Sequence, residues 1–162
     1  VEIIITIVFL FLIGIPLTVL LHETGHGLGA ISASTSNAHI CLGKWNEKRK
    51  PSFQSGKLRF YLRWSYVGFC KWERTNKRQH MTALLGGPLA SLLAAGLFLV
   101  LAQLISSGGI HTILTGLLYM NVSIFLMTII PITYPSWLSH YGSRESDGLQ
   151  LLRLLIKRDA SD

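Results

Sequence analysis

The sequence predicts an all-α polytopic membrane protein, with three core transmembrane helices and a short membrane-associated β element between the first and second. Three observations predict it. Of 162 residues, 49% are hydrophobic and only 14% are charged, against about 25% charged in an ordinary soluble domain. The stretch between Arg78 and Arg144 runs for 65 residues without a charge. Eleven of the fifteen Lys and Arg residues lie between Lys44 and Arg78, and the other four are Arg144, Arg153, Lys157 and Arg158. Such a composition argues against a disordered chain and against an ordinary soluble domain. The length suits one domain, 1–162.

Each element follows from a local pattern. Ile3 to Leu21 is nineteen residues without a charge, close to the roughly 20 helical residues that cross a bilayer core. It predicts a first span over about 2–21. A signal peptide is the competing reading. It fits less well, because no basic segment opens the run and the run exceeds the roughly 7–15 apolar residues of such a signal. Two further apolar stretches predict spans over about 82–106 and 110–132, and Ser106-Ser107-Gly108-Gly109 between them predicts a tight turn and a helical hairpin. With three crossings, the basic loop 33–80 and the tail 136–162 fall on one side, together with all fifteen Lys and Arg. The positive-inside rule makes that side the cytoplasmic face of a multi-pass cell-membrane protein.

Within the basic loop, Lys57 to Trp72 is rich in aromatics and partly alternating, which predicts one or two short strands. Trp64, Tyr66, Phe69 and Trp72 between basic residues suit a membrane interface. The charge cluster predicts a solvated loop facing lipid headgroups, and no nucleic-acid-binding motif accompanies it. Cys41 and Cys70 are too few for a disulfide scaffold and are not spaced as a zinc ribbon; facing a reducing cytosol, they are expected as free thiols. Pro131 and Pro135 bound a stretch that cannot be regular helix. Trp137 and Tyr141 are expected as interfacial anchors, and Leu149 to Ile156 as a short amphipathic helix.

Chemistry concentrates at residues 22–26, which read His22-Glu23-Thr24-Gly25-His26, an HExxH. Positions i and i+4 of a helix share a face. Both imidazoles can therefore reach one zinc ion from adjacent turns, with Glu23 beside it as a base for water. Ionisable groups that continue a transmembrane helix are costly and generally functional. A catalytic zinc usually takes three protein ligands. His111 falls on the far side of the membrane, and His39 and His80 fall in the basic loop, where exposure is expected. Asp147, Glu145 and His140 remain as candidates for the third ligand.

These residues resemble the site-2 protease family of intramembrane zinc metalloproteases. The resemblance rests on the HExxH at the end of a first span, Gly86-Gly87-Pro88-Leu89-Ala90-Ser91 in the second, and a Pro-containing segment leading to Asp147-Gly148 after the third. It covers nearly the whole chain, as that family's three-helix catalytic core. It implies His22, His26 and Asp147 as ligands of one zinc per chain, and Glu23 as the catalytic base. It implies Gly86, Gly87, Pro88 and Ser91 as substrate-binding, and the aromatic loop as the β segment thought to receive substrate as an added strand. The chain departs from the family pattern at three places. Ser91 stands where the family often has Asn, Thr128 stands where an Asn often precedes Pro131, and Ser136 to Ser146 is an insertion before Asp147.

The implied activity is hydrolysis of peptide bonds in or near transmembrane segments. The implied substrate is a single-pass or small hydrophobic membrane protein, such as a membrane-tethered regulator or a remnant signal peptide. Pro16 is expected to kink the first helix by removing a backbone donor. Gly14, Gly25, Gly27 and Gly29 are expected to let helices approach closely. Two rivals are a non-catalytic zinc-binding membrane protein acting as a binder or chaperone, and a transporter. The intact Glu23 argues against the first, and the lack of an inverted repeat against the second.

Overall fold

The structure, a computed structural model, describes residues 2–46, 49–105, 107–138 and 141–156. The chain is mostly helical, with three helices long and apolar enough to cross a membrane and a four-stranded mixed sheet between the first and second of them. The first long helix comprises α1 (Glu2–Phe9), one π-helical turn (Leu10–Gly14) and α2 (Ile15–Ser32). The second is α3 (Lys77–Leu104) and the third is α4 (Gly108–Ile129). A short α5 (Asp147–Ile156) follows a non-helical connection. The outer faces of the long helices expose Ile3, Ile4, Leu93, Leu97, Leu104 and Ile110 among many others. An apolar surface that extensive suits lipid rather than water.

Two helix boundaries differ from the sequence expectation. The first helix does not stop at Leu21 but continues to Ser32, a 31-residue element. At 1.5 Å per residue it is about 46 Å long, well beyond a hydrocarbon core of roughly 30 Å. The HExxH ends the apolar run without ending the helix, because its polar side chains face α3 and the sheet rather than lipid. Likewise α3 starts at Lys77, not at residue 82, capped by Asn76, whose side chain accepts from the Gln79 N–H at 2.8 Å. The α3–α4 turn and the end of α4 before Pro131 fall close to expectation.

Pro16 follows an interruption of the α-helical pattern in the first helix. It has no N–H for the Leu12 carbonyl one turn earlier, and the preceding turn is π-helical. The indole Nε1 of Trp64 donates to that Leu12 carbonyl at 2.9 Å. Phe11 and Tyr66 pack beside it with ring centroids 4.8 Å apart. The loop at 63–67 is thus tied to the middle of the first helix.

The sheet is larger than one or two strands. It comprises β1 (Ala38–Leu42), β2 (Phe53–Ser55), β3 (Leu58–Leu62) and β4 (Gly68–Trp72), in the order β2-β3-β1-β4. β1 runs parallel to β3 and antiparallel to β4, with Ile40 opposite Phe60 on one side and Cys70 on the other. One face carries Ala38, Ile40, Leu58 and Phe60, which pack with Ala30 of α2 and Ala83 of α3 as the core. The opposite face carries His39, Tyr61 and Lys71, with Trp45 set edge-on to both rings. β4 is an edge strand and lies against α2: a Cβ on Gly68 would come within 2.7 Å of Val19 Cγ1 and 3.0 Å of Glu23 Cγ.

α2 and α3 cross with their backbones touching. A Cβ on Gly25 would strike the Gly86 carbonyl, and one on Gly86 would strike the Gly25 carbonyl. This is the small-residue packing expected of membrane helices. After α4 the chain leaves helical geometry, as Pro131 and Pro135 require. It folds back as a loop closed by a Thr133–Glu145 bridge and enters α5 beside the end of α4. The free thiols of Cys41 and Cys70 are as expected; burial pushes Cys41 up to about 12 and raises Cys70 as well.

Candidate metal centre

His22 and His26 lie on successive turns of α2, both buried, with their Nε2 atoms 3.1 Å apart. Asp147, the first residue of α5, places its Oδ2 atom 3.4 Å from each of those nitrogens. These three residues form the one group among the described residues whose donor atoms could hold a metal ion. Four ligands arranged tetrahedrally at about 2.0–2.1 Å from an ion are separated by roughly 3.3 Å from one another. The three observed separations match that edge length, so the donor set fits a small tetrahedral cation such as zinc. Charge supports the same arrangement. Burial alone would raise the Asp147 carboxyl, but its hydrogen bonds to His22 and His26 outweigh burial and hold it at about 2.

Each ligand is held by a second contact. The His26 Nδ1–H donates to the Ala83 carbonyl at 2.8 Å. A carbonyl can only accept, so Nδ1 carries a proton and Nε2 is the nitrogen that faces Asp147 and would be free to bind a metal ion on losing its own proton. His22 Nδ1 lies 3.0 Å from the Ser91 hydroxyl. Asp147 is placed by its neighbours. Ser146 Oγ donates to the Ile130 carbonyl at 2.7 Å and accepts from the Ile132 and Leu149 N–H groups, both at 3.1 Å. It caps α5 and fastens that helix to the end of α4. A Cβ on Gly148 would strike the Ile129 carbonyl, so only glycine allows Asp147 to come this close.

The ligands open onto a cavity of about 520 Å³ that Glu23 also lines. Glu23 is buried and packs against β4 at Gly68, where an added Cβ would lie 3.0 Å from Glu23 Cγ. The outer side of β4 forms one wall through Gly68, Phe69, Cys70 and Trp72, and the loop after α4 forms another through Tyr134, Leu138 and Tyr141.

The remaining candidates fall elsewhere. Glu145 lines the cavity but is ion-paired with Arg153 and is not among the grouped donors. His140 lies outside the described residues. His111 sits at the other end of the helices, against the Ala102 and Ile105 carbonyls. His39 and His80 are not freely exposed. His39 stacks on Tyr61, and His80 is buried with its ring 5.9 Å from that of Trp72. Gly86, Gly87, Pro88 and Ser91 do not line the cavity. Gly86 backs onto Gly25, Gly87 lies under the His26 ring, Pro88 is buried, and Ser91 holds His22. Behind them is protein, so their described contacts are with the metal-site histidines and α2.

Sequence reasoning missed two residues here. Ser146 is one; Ser directly before Asp-Gly and an apolar run is a readable helix N-cap signal. Tyr141 is the other; it lines the cavity, and no local pattern announces that. A comparison of the chain with family models, with curated proteins and with solved structures finds no match.

Proposed function

We propose that this protein is an intramembrane zinc metalloendopeptidase of the site-2 protease type. The observation that carries the proposal is Glu23 buried in one cavity with His22, His26 and Asp147, on helices whose outer surfaces are apolar. A structural metal site has no need of an adjacent buried carboxylate. Zinc, held by His22, His26 and Asp147, would supply Lewis acidity, polarising a carbonyl and bringing the pKa of a water to about 7. Glu23 takes the proton of the attacking water as a C–O bond forms at the scissile carbon. It then returns that proton to the amide nitrogen as the C–N bond breaks. A transmembrane substrate must be unwound locally to expose that bond. The outer side of edge strand β4, lining the cavity, offers backbone partners to an extended segment. The distribution of Lys and Arg supports a cytoplasmic site at the membrane surface.

The test is zinc content of detergent-purified protein, followed by cleavage of a single-pass membrane substrate. Wild type is expected to hold about one zinc per chain, lost in His22→Ala and Asp147→Ala and kept in Glu145→Ala and Glu23→Gln. Cleavage is expected to vanish in Glu23→Gln. A folded wild type that takes up no zinc refutes the proposal. Zinc without cleavage would favour a non-catalytic zinc-binding protein.

A further inference from the structure

We infer that a second cavity, contiguous with the first and built around Arg74 and His80, receives an acidic side chain of the substrate close to the scissile bond. The inference rests on the proposed activity and names the class of substrate sequence that the site prefers.

The second cavity has a volume of about 520 Å³. Arg74, Glu145 and Gln150 line it and also line the cavity of the candidate metal centre, so the two adjoin. His80 and Arg153 complete its polar lining. Trp72 links the two places, its ring centroid 6.3 Å from that of His26 and 5.9 Å from that of His80.

The charge on this lining is unbalanced. Glu145 is the one carboxylate among the described residues that line the second cavity, and it is ion-paired with Arg153. The Gln150 amide donates to the Glu145 backbone carbonyl at 3.1 Å. The Arg74 side chain is exposed and makes no hydrogen bond or ion pair with any described residue, the adjacent Glu73 included. His80 is the second uncommitted group. It is only 8% exposed, and its Nδ1 is buried without a partner. A buried N–H left unpaired is costly. A neutral imidazole carries one proton. Placing it on Nε2 spares the protein that cost and leaves an N–H for a ligand of the cavity that the ring lines.

An unpaired guanidinium beside an uncommitted N–H calls for a carboxylate or a phosphate. Position favours a carboxylate of the substrate. β4 ends at Trp72, and Arg74 follows two residues later. A segment paired along the outer side of β4 advances about 3.3 Å per residue, so it arrives at Arg74 about two to four residues from the part that lies at the metal centre. An Asp or Glu at that distance from the scissile bond meets Arg74 while the bond itself meets Glu23.

The test uses membrane substrates with Asp, Asn or Lys placed in turn at each of about four positions on either side of the scissile bond, cleaved by full-length, zinc-loaded protein in neutral detergent. In wild type, Asp at one position in that window is expected to raise kcat/KM about 5–10-fold over Asn, as for a charge pair on a partly exposed guanidinium. Added salt is expected to shrink the ratio. The ratio is expected to fall to about one in Arg74→Gln, to persist in part in Arg74→Lys, and to turn in favour of Lys in Arg74→Glu. Arg144→Gln is expected to keep it, because Arg144 lines the first cavity and not the second. The same ratio is read without turnover, as the affinity of zinc-loaded Glu23→Gln protein for the Asp and Asn peptides. Equal treatment of Asp, Asn and Lys at every position overturns the subsite and leaves the protease reading intact. An Asp preference that survives Arg74→Glu also overturns it. So does an anionic phospholipid that copurifies with wild type but not with Arg74→Gln while all peptides are cleaved alike, since the cavity is then a headgroup site. A wild type that cleaves nothing, although Glu23→Gln protein binds the Asp peptide more tightly by way of Arg74, overturns the protease reading and leaves the subsite.

Discussion

Gly87→Ala isolates the fit between the second long helix and the candidate metal site. A Cβ at position 87 would lie 2.5 Å from Cε1 and 2.8 Å from Cδ2 of the His26 ring. That is about 0.9 Å inside the 3.4 Å at which ordinary van der Waals contact begins. The ring cannot slide freely, because Nδ1 is held by Ala83 and Nε2 must meet the other donors. Metal ligands tolerate only about ±0.2 Å, so His26 is driven out of register with His22 and Asp147. Loss of contacts one step removed from a metal already costs about 10–100-fold in affinity. Displacing a ligand is expected to cost at least about 100-fold, or about 2.8 kcal/mol of binding free energy. Gly96→Ala is the control: it lies in the same helix with nothing within 4 Å of its new Cβ. It is expected to leave zinc affinity alone and to stabilise α3 by up to about 1 kcal/mol through helix propensity. The assay is zinc affinity by competition with a chromogenic chelator, beside thermal melting of the metal-free proteins. Wild-type zinc affinity in Gly87→Ala would refute the packing of His26 on this glycine.

Three further outcomes are expected. Ser91→Ala, which removes the partner of His22 Nδ1, should weaken zinc binding about 10–100-fold with the fold retained, read by the same competition assay. With its thiol at about 12 rather than the ordinary 9.0, Cys41 should hold roughly a thousandfold less thiolate than a free thiol at pH 8. Peptide mapping after iodoacetamide should find it unmodified in folded protein and labelled after denaturation, with labelling in the folded state rising only as the pH climbs towards that value. Trp64→Phe, which leaves the Leu12 carbonyl without its indole donor, should lower unfolding stability in detergent by about 0.5–1.5 kcal/mol; a denaturant midpoint equal to wild type would show that this tie contributes nothing.

The three long apolar helices and the histidine pair were legible in the sequence because both are local. An uncharged run declares a helix apolar enough to cross a membrane, and His22 and His26 declare a shared face by spacing alone. What followed Leu21 was not legible, because the polarity of His22 and Glu23 mimics the end of a span. Only packing against α3 and β4 shows why the helix continues. Four strands rather than two formed because β1 is recruited through a parallel partner twenty residues away, a pairing that short-range alternation does not encode. Residues alone left the third ligand open among Asp147, Glu145 and His140. Asp147 joins the histidines because Ser146 and Gly148 fasten α5 to the end of α4, a tertiary cause. For the same reason Gly86 and Ser91, expected at the substrate, carry out their described work behind the histidines.

The division of the ligand set between α2 and α5 has a consequence for biosynthesis. His26 and Asp147 are separated by 121 positions in the chain. At roughly 5–20 residues per second of synthesis, the histidine pair exists for about 6–24 s before its carboxylate partner has been made. During that interval the nascent helix offers an incomplete, weakly chelating pair. Firm capture of a metal ion would then coincide with docking of α5. If the proposed activity holds, cutting power would arise only after the three long helices have been made, so the segments made before Asp147 would pass their synthesis beside an inert site.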